Sequence, residues 1–229
     1  MGNFMQDESK LLFKKRPHYY NAVREDLIKL IPRIQGRFLE IGCGAGLTLE
    51  YLKTKGAAYV AGVDKSSEAI KVALDKRIDA AICADIETEE LPFDEKEFDY
   101  IILADLLEHL YNPWDTLKRV TRLLKNDGYI LMSIPNVKYF LILWNLIFHD
   151  EWRYSDAGIL DNTHLRFFTL TEIMRLIDYA CLKIAKIECY RLYGKKFGII
   201  NFIFFDKLKS FSIVQYHILV KKKAIIQIN

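Results

Sequence analysis

The sequence predicts an α/β protein built on a doubly wound parallel sheet. From Arg37 onward, short apolar runs alternate with segments of helical periodicity, which is the order of strands joined by crossover helices. A glycine-rich turn follows the first apolar run, and an acidic residue stands at the end of several of these runs. The 229 residues, 51% of them hydrophobic, suffice for one domain of this kind with a sizeable core.

The elements are predicted in chain order from periodicity and from turn and cap residues. An amphipathic helix over 17–31 precedes the strands. The predicted strands are 37–41, 58–63, 80–84, 98–103, 129–134, 182–190 and 214–221. The predicted helices are 47–55, 68–76, 106–110 with 113–124, and 171–179. These define one domain, 1–229, with an N-terminal helical segment (17–36), a cofactor-binding half (37–134), an insertion (135–170) and a C-terminal part (171–229).

The most informative stretch is the turn after the first strand, where Gly42, Gly44 and Gly46 alternate with other residues. Glycines let the chain turn sharply and let the backbone approach a ligand closely. A dinucleotide-binding turn has the pattern G-x-G-x-x-G, which would place its third glycine at Leu47, one residue later. The stretch from Phe38 to Gly46 instead resembles the opening signature of class I S-adenosylmethionine-dependent methyltransferases.

Acidic residues at the carboxyl ends of four predicted strands support one shared site. Glu40, Asp64, Asp85 and Asp105 are far apart in the chain, but the ends of parallel strands meet at one edge of a sheet. Asp64 lies about 20 residues beyond the glycine turn, where a carboxylate can accept hydrogen bonds from both ribose hydroxyls. We therefore expect Asp64 to be the principal cofactor contact.

The resemblance implies S-adenosylmethionine as the cofactor. It also implies a Rossmann-like sheet of about seven strands whose last strand is antiparallel, with a lid inserted after the fifth strand. By similarity, the amino-acid end of the cofactor lies at Glu40 and at the main chain of Leu103 and Ala104. The adenine lies at Asp85 and Ile86. The complete predicted cofactor-binding set is Glu40, Gly42, Cys43, Gly44, Gly46, Asp64, Lys65, Asp85, Ile86, Leu103 and Ala104.

Two further segments resemble particular groups within the family. Residues 98–110 are similar to the fourth strand and following helix of small-molecule methyltransferases, including ubiquinone-biosynthesis O-methyltransferases and methionine-biosynthesis methyltransferase-like proteins. The motif N-T-H-L-R-F-F-T at 162–169 resembles a substrate-side motif of the latter group and of methyltransferases associated with polysaccharide synthesis. The resemblance implies methylation, most readily at oxygen, of a small-molecule or glycan-linked acceptor.

The chemistry of methyl transfer suggests which residues act on the acceptor. A sulfonium already activates its methyl group, so the protein mainly has to align the acceptor and exclude water, and a base matters when a hydroxyl must lose its proton. His164, in the insertion, and His109, after the fourth strand, are the candidate catalytic bases. For His109, packing on a helix face is the alternative. The predicted acceptor-binding residues are Trp152, Arg153, Tyr154 and Arg166. For Arg166 and His164 the alternative role is an ion pair with Asp156 or Asp161.

Asp105, Glu108 and His109 form a D-x-x-E-H group whose spacing would put all three on one helical face. Such a set can bind a divalent ion, and the resembled ubiquinone O-methyltransferases carry a comparable cluster. We expect a capped helix start and no metal at this position, with the ion as the alternative.

Composition narrows the partners and the compartment. The net charge is only +3 and no basic run interleaved with aromatics occurs, so nucleic acid is not expected as a partner. The four cysteines form no C-x-x-C pair and no secretory signal is evident, which together favour a reducing cytoplasm. The apolar runs 137–148 and 197–205 are too short to span a bilayer. We expect them to be buried against each other or in a homodimer, while a rim that contacts membrane or a lipid-linked acceptor is the alternative.

Two functions from other classes stay open at the level of the sequence. A nicotinamide-dependent oxidoreductase would share the sheet and the acid at the ribose, although the early third glycine argues against it. A non-catalytic protein that binds S-adenosylmethionine would share every feature except turnover.

Overall fold

The computed structural model describes residues 22–191 and 209–223. Its strands form one sheet: β1 Arg37–Ile41, β2 Tyr59–Asp64, β3 Ala80–Cys83, β4 Phe98–Ala104, β5 Leu124–Pro135, β6 Leu182–Arg191 and β7 Ile213–Lys222. The helices are α1 Glu25–Ile28, α2 Leu47–Thr54, α3 Ser67–Leu74, α4 Pro113–Leu123, α5 Phe140–His149 and α6 Leu170–Tyr179, with 3-10 turns at Leu107–His109 and Lys209–Ser212.

The sheet has the strand order β3-β2-β1-β4-β5-β7-β6. Strands β1 to β5 pair in parallel, and the direction of winding reverses between β1 and β4. Strand β7 lies antiparallel between β5 and β6. The predicted doubly wound α/β fold, with its antiparallel last strand, is therefore confirmed. Ligand crevices in such sheets lie outside the carboxyl ends of the strands at the reversal.

A separate apolar layer covers each face of the sheet, because successive side chains of a strand point to opposite faces. Leu39 packs into one layer and Phe38 into the other, and both are fully buried. The ring of Phe38 stacks on that of Tyr100 from the neighbouring strand, with centroids 4.6 Å apart. Burial on both faces makes the sheet a rigid support for the residues at its edge.

The predicted N-terminal helix is much shorter than expected. Only α1, Glu25–Ile28, is helical, and the predicted residues 17–21 lie outside the described part of the chain. The helix cannot continue through Ile31, because the residue before Pro32 is disfavoured in the helical conformation. The chain ahead of α1 runs instead toward α2, where the Arg24 N–H donates to Thr48 Oγ1 over 3.2 Å.

Strand β5 also differs from its prediction, because the stretch Asn126-Asp127-Gly128 belongs to the strand and not to a turn before it. The register between β4 and β5 shifts between Phe98 and Tyr100, and this irregularity accommodates the early residues of β5. A Cβ at Gly128 would lie 2.9 Å from the Asp99 backbone oxygen, so only glycine permits this approach.

The insertion after β5 is partly helical. The apolar run predicted over 137–148 forms α5 from Phe140 to His149, and Asp150 ends it in the left-handed conformation. Within the described part of the chain, no residue of α5 is buried. The second apolar run, 197–205, lies outside the described residues. No helix within residues 22–191 and 209–223 combines the length and the apolarity needed to cross a bilayer.

Candidate cofactor and acceptor site

The glycine turn connects β1 to α2 at the reversal of the sheet. The N–H groups of Gly42 and Cys43 both donate to the Val63 oxygen, over 2.8 and 3.1 Å, so the turn is fastened to the end of β2. Gly46 has a φ of 74°, and a Cβ there would lie 3.1 Å from the Cβ of Ala73. Helix α2 starts at the next residue, which directs its N-terminus toward a cavity of about 260 Å³.

The carboxylate of Asp64 braces this turn. Its Oδ2 accepts the Gly44 N–H over 2.9 Å and its Oδ1 accepts the Ser66 N–H over 2.8 Å. Burial raises the pKa of this carboxyl, and the two backbone hydrogen bonds oppose that rise. A carboxylate oxygen accepts more than one hydrogen bond, so both oxygens retain capacity for ribose hydroxyls. Asp64 thus has a structural task that the sequence did not indicate.

Glu40 lies in the wall of the cavity and is only 3% exposed. Burial raises its pKa to about 8, against the opposing effects of Arg24 and of a hydrogen bond from Thr48. Its Oε2 has no hydrogen-bond partner among the described residues. A buried carboxyl of this kind is suited to a cationic group such as the amino group of a bound amino acid.

The cavity brings together some of the predicted cofactor residues and adds others. Of the predicted set, Glu40, Gly42, Cys43, Gly44 and Ala104 line it. Four further lining residues were not assigned from the sequence, and these are Ala22, Arg24, Leu47 and Thr48. The last lining residue, Asp105, was expected only as one of the four acids at strand ends. Arg24 precedes β1 in a segment whose path no spacing rule predicts.

The remaining predicted cofactor residues, which do not line this cavity, are Gly46, Asp64, Lys65, Asp85, Ile86 and Leu103. Lys65 follows β2 and is exposed, while Ile86 follows β3 and is 7% exposed. Asp85 accepts the Glu87 N–H on Oδ1 over 2.8 Å. Leu103 is buried inside β4, so it can offer a ligand only its main chain. Their assignment to the adenine and the amino-acid end stays a prediction.

The predicted helical face of Asp105, Glu108 and His109 is not formed. Asp105 has a φ of 47° and precedes a single 3-10 turn, Leu107–His109. Its carboxylate turns toward Arg24, whose NH1 lies 2.7 Å from Oδ2. Glu108 and His109 instead approach His164 of the insertion.

Two imidazole rings and one carboxyl group form a compact cluster at this point. The ring centroids of His109 and His164 lie 4.7 Å apart, and His164 Nε2 lies 4.0 Å from Glu108 Oε1. His164 Nδ1 donates to the Ile159 oxygen over 2.9 Å, and His109 Nδ1 donates to the Thr163 oxygen over 3.1 Å. A carbonyl can only accept, so these bonds place the proton of each neutral ring on Nδ1 and leave Nε2 basic.

Burial shifts the pKa values of His109 and Glu108 in this cluster, and it shifts them in opposite directions. Burial, and then the neighbouring His164, lower the pKa of His109 to about 4, so this ring is neutral at physiological pH. Glu108 is 1% exposed, and neither of its oxygens has a hydrogen-bond partner among the described residues. Burial and the nearby Asp105 hold the Glu108 pKa well above its ordinary value.

The same cluster is the group that could hold a metal ion in residues 22–191 and 209–223. One donor atom each from Glu108, His109 and His164 lie within 4.8 Å of one another. The set differs from the D-x-x-E-H group of the sequence, because Arg24, Ser133 and Gln215 engage the carboxylate of Asp105. That catalysis needs no metal stays a prediction.

Two of the predicted acceptor residues, Trp152 and Tyr154, and the candidate base His164 lie around the ring of Phe167. The Phe167 ring lies 5.2 Å from Trp152, 6.3 Å from Tyr154 and 6.4 Å from His164. Arg153 lies between Trp152 and Tyr154 in the chain and is exposed.

Arg166 is held by the backbone and not by the acids considered for it. Its guanidinium donates to the Tyr111 oxygen from both Nε and NH2, and its Nε lies 3.1 Å from that oxygen. Asp161 instead accepts from the Thr163 hydroxyl over 2.7 Å. Arg166 therefore ties the insertion to the loop after the 3-10 turn that carries His109.

Comparisons with known proteins agree with this geometry. A family model described as "Methyltransferase domain" matches residues 39–132. The ubiquinone biosynthesis O-methyltransferase of Neisseria meningitidis serogroup C is 30% identical over 182 residues, which cover 75% of this chain and 74% of the relative. The chain belongs to the class I S-adenosylmethionine-dependent methyltransferases. The enzyme of the same name from Coxiella burnetii is 33% identical over 141 residues, covering 58% of this methyltransferase and 59% of the relative.

Solved structures share the fold of this methyltransferase. An S-adenosylmethionine-dependent methyltransferase from Archaeoglobus fulgidus superposes with a TM-score of 0.64 at 20% identity, covering 93% of this chain and 98% of that one. One from Mesorhizobium loti gives a TM-score of 0.61 at 16% identity, covering 86% and 96%. Membership of the family, shown by the relative at 30% identity, makes S-adenosylmethionine the cofactor and excludes the nicotinamide-dependent alternative.

Cofactor binding should release a proton from Glu40. With a pKa of about 8 the free carboxyl is mostly protonated at pH 7, and a cationic amino group beside it favours the ionised form. We expect release of nearly one proton per S-adenosylhomocysteine bound at pH 7, measured by calorimetry in two buffers of different ionisation enthalpy. Glu40→Gln should release none. Equal proton release by both proteins would show that Glu40 does not face the amino group.

Proposed function

We propose that this methyltransferase transfers the methyl group of S-adenosylmethionine to an oxygen atom of a small-molecule or glycan-linked acceptor. The observation that carries the proposal is a pair of adjacent imidazoles, the half-buried His109 and the buried His164. Each donates its Nδ1 proton to a backbone carbonyl, which leaves Nε2 as the proton-accepting nitrogen of the neutral ring. A base is needed when the acceptor is a hydroxyl, and less so for a carboxylate that is already ionised.

His164 is the proposed base. The acceptor oxygen attacks the methyl carbon in line with the sulfur, the C–O bond forms as the S–C bond breaks, and S-adenosylhomocysteine leaves. The hydroxyl proton passes to Nε2 of His164, since its Nδ1 already donates to Ile159. Glu108 Oε1 lies 4.0 Å from that nitrogen, and a positive charge formed on the ring would favour ionisation of this otherwise neutral carboxyl.

His109 supports this arrangement from the other side of the cluster. Its pKa of about 4 keeps the ring neutral, so it places no second positive charge beside His164. The Thr163 hydroxyl lies 3.1 Å from His109 Nδ1 and is itself anchored on Asp161. Because Thr163 directly precedes His164, the contact between Thr163 and His109 links the two histidines.

The insertion supports an acceptor with an apolar part. Helix α5 exposes large side chains beside the site, with Trp144 51%, Ile147 69% and Phe148 62% exposed. An apolar or lipid-linked acceptor, a membrane surface or a second copy of the chain would each cover this surface. We propose the apolar acceptor, because Phe140, the first residue of α5, and Trp152 pack in the same small cluster as Phe167, which contacts His164.

The names of the relatives also support oxygen as the methylated atom. The proteins from Neisseria meningitidis and Coxiella burnetii are named ubiquinone biosynthesis O-methyltransferases. From these names we propose for this chain the class of reaction, O-methylation, and not the acceptor. A non-catalytic protein that only binds the cofactor is the second candidate.

Methyl-labelled S-adenosylmethionine tests the proposal. Incubated with the protein and a metabolite extract, the label should appear as an O-methyl group, located by carbon NMR and mass spectrometry, and exhaustive chelation should not slow its transfer. An N-methyl product would overturn the assignment to oxygen. A loss of rate on chelation that one divalent ion restores would place a metal at Glu108, His109 and His164. Absence of any labelled product would favour the non-catalytic alternative.

A further inference from the structure

A polar ring joins the N-terminal segment to the carboxyl ends of the central strands beside the cofactor cavity. We use "Arg24 ring" for Arg24, Asp26, Asp105, Ser133, Gln215 and His217. Arg24 and Asp105 line the cavity, whereas the other four residues do not. The ring is made of residues up to 193 positions apart in the chain, as Arg24 and His217 illustrate.

Arg24 is held from two sides. Its Nε and NH2 form a fork on Asp26, with both N···O distances 2.9 Å. On the other side NH1 donates to Asp105 Oδ2 over 2.7 Å, and NH2 also reaches Ser133 Oγ over 3.1 Å. Paired hydrogen bonds of this kind fix the plane of a guanidinium as well as its position.

Asp105 is itself fixed before it meets Arg24. Its backbone is in the left-handed region, which is uncommon for a residue other than glycine. Its Oδ1 accepts the Ser133 hydroxyl over 2.6 Å and the side-chain amide of Gln215. These donors compensate the carboxylate and direct its second oxygen toward Arg24.

Strand β7 supplies the contacts that close the ring. His217 Nε2 lies 3.1 Å from Gln215 Oε1 and 3.3 Å from Asp26 Oδ2. A donor on His217 can thus orient the Gln215 amide, whose nitrogen then faces Asp105, and can also hold Asp26. Both carboxylates that hold Arg24 are therefore in contact with β7.

We propose that Gln215 and His217 are positioning residues for the cofactor, which act by fixing Arg24 in the wall of the cavity. Arg24 also donates its backbone N–H to Thr48 of α2, so the segment ahead of α1 is set against the cavity by contacts at both the main chain and the side chain. Opening the ring at β7 would leave that wall free to move, and cofactor binding would have to order it. The inference rests on the cofactor of the family and is independent of the acceptor.

The test is a double-mutant cycle read out by calorimetric titration with S-adenosylhomocysteine. Gln215→Leu should weaken binding roughly tenfold, as for the loss of a hydrogen bond to a charged group. Arg24→Met should also weaken it. If Gln215 acts through Arg24, adding Gln215→Leu to Arg24→Met should cause no further loss. A matched control is Gln35→Leu, which changes an exposed glutamine outside the ring and should bind as the native protein does.

The proposal fails if Gln215→Leu binds with native affinity, or if it weakens binding equally in both backgrounds. Thermal unfolding should show that each variant is folded. Should Gln215→Leu not fold, His217→Asn provides the same cycle from the other β7 residue. Because no acceptor is needed, failure of this cycle would leave the proposed O-methylation standing, and absence of an O-methyl product would leave the cycle interpretable.

Discussion

His164→Ala should lower the turnover number for methyl transfer by roughly 10²- to 10⁴-fold at saturating cofactor and acceptor, the range contributed by a positioned general base. The affinity for S-adenosylhomocysteine should not change, because His164 does not line the cofactor cavity. The physical reason is that Nε2 of this ring is the proposed acceptor of the hydroxyl proton, while Nδ1 is occupied by the Ile159 oxygen.

Two variants make this result specific. His149→Ala changes an exposed histidine at the end of α5 and should react at the native rate. His164→Asn retains an amide donor near the position of Nδ1 for Ile159 but lacks an imidazole, so it should fold and be as slow as His164→Ala. A native rate for His164→Ala would show that His164 is not the base and would direct attention to His109.

Asp64→Ala should weaken cofactor binding by roughly 1–3 kcal/mol, a factor of about 5 to 150, through the loss of two ribose hydrogen bonds. The same change leaves the Gly44 and Ser66 N–H groups without their acceptor, which loosens the turn that forms the cavity. Calorimetric titration with S-adenosylhomocysteine measures the effect.

Asp75→Ala is the matched control for this prediction, because Asp75 is exposed at the end of α3 and away from the cavity. Asp64→Asn separates the two roles, since an amide oxygen can still accept one backbone N–H. We expect its affinity to lie between those of the native protein and Asp64→Ala. Native affinity for Asp64→Ala would remove Asp64 from the ribose site.

The sheet and the glycine turn could be predicted from the sequence because their determinants are local. The positions of Gly42, Gly44 and Gly46 define a turn directly after a buried strand, and the fold determines where that turn lies. Acidic residues at strand ends are brought together by parallel pairing alone. Apolar residues with a period of two in strands and of 3.6 in helices, together with a few turn residues, therefore suffice to predict most of the sheet and its crossover helices.

The acceptor side and the Arg24 ring could not be predicted in this way. The spacing of Asp105, Glu108 and His109 indicated one helical face, but the left-handed backbone at Asp105 separates it from the other two. Arg24 and Gln215 both reach the carboxylate of Asp105 because segments far apart in the chain pack against the sheet, which no local pattern encodes. The long insertion likewise positions His164 through contacts with a turn more than 50 residues earlier, such as the 3.1 Å bond from His109 to Thr163.

The most direct test of the central claim is a crystal structure of the complex with S-adenosylhomocysteine. The account predicts the product in the cavity between the glycine turn and Asp105, with its ribose on Asp64 and its sulfur facing the cluster of Glu108, His109 and His164. Room for an acceptor oxygen should lie between the sulfur and that cluster. A complex in which the sulfur points away from the cluster, or in which Leu106 and Leu107 separate the two, would contradict the account.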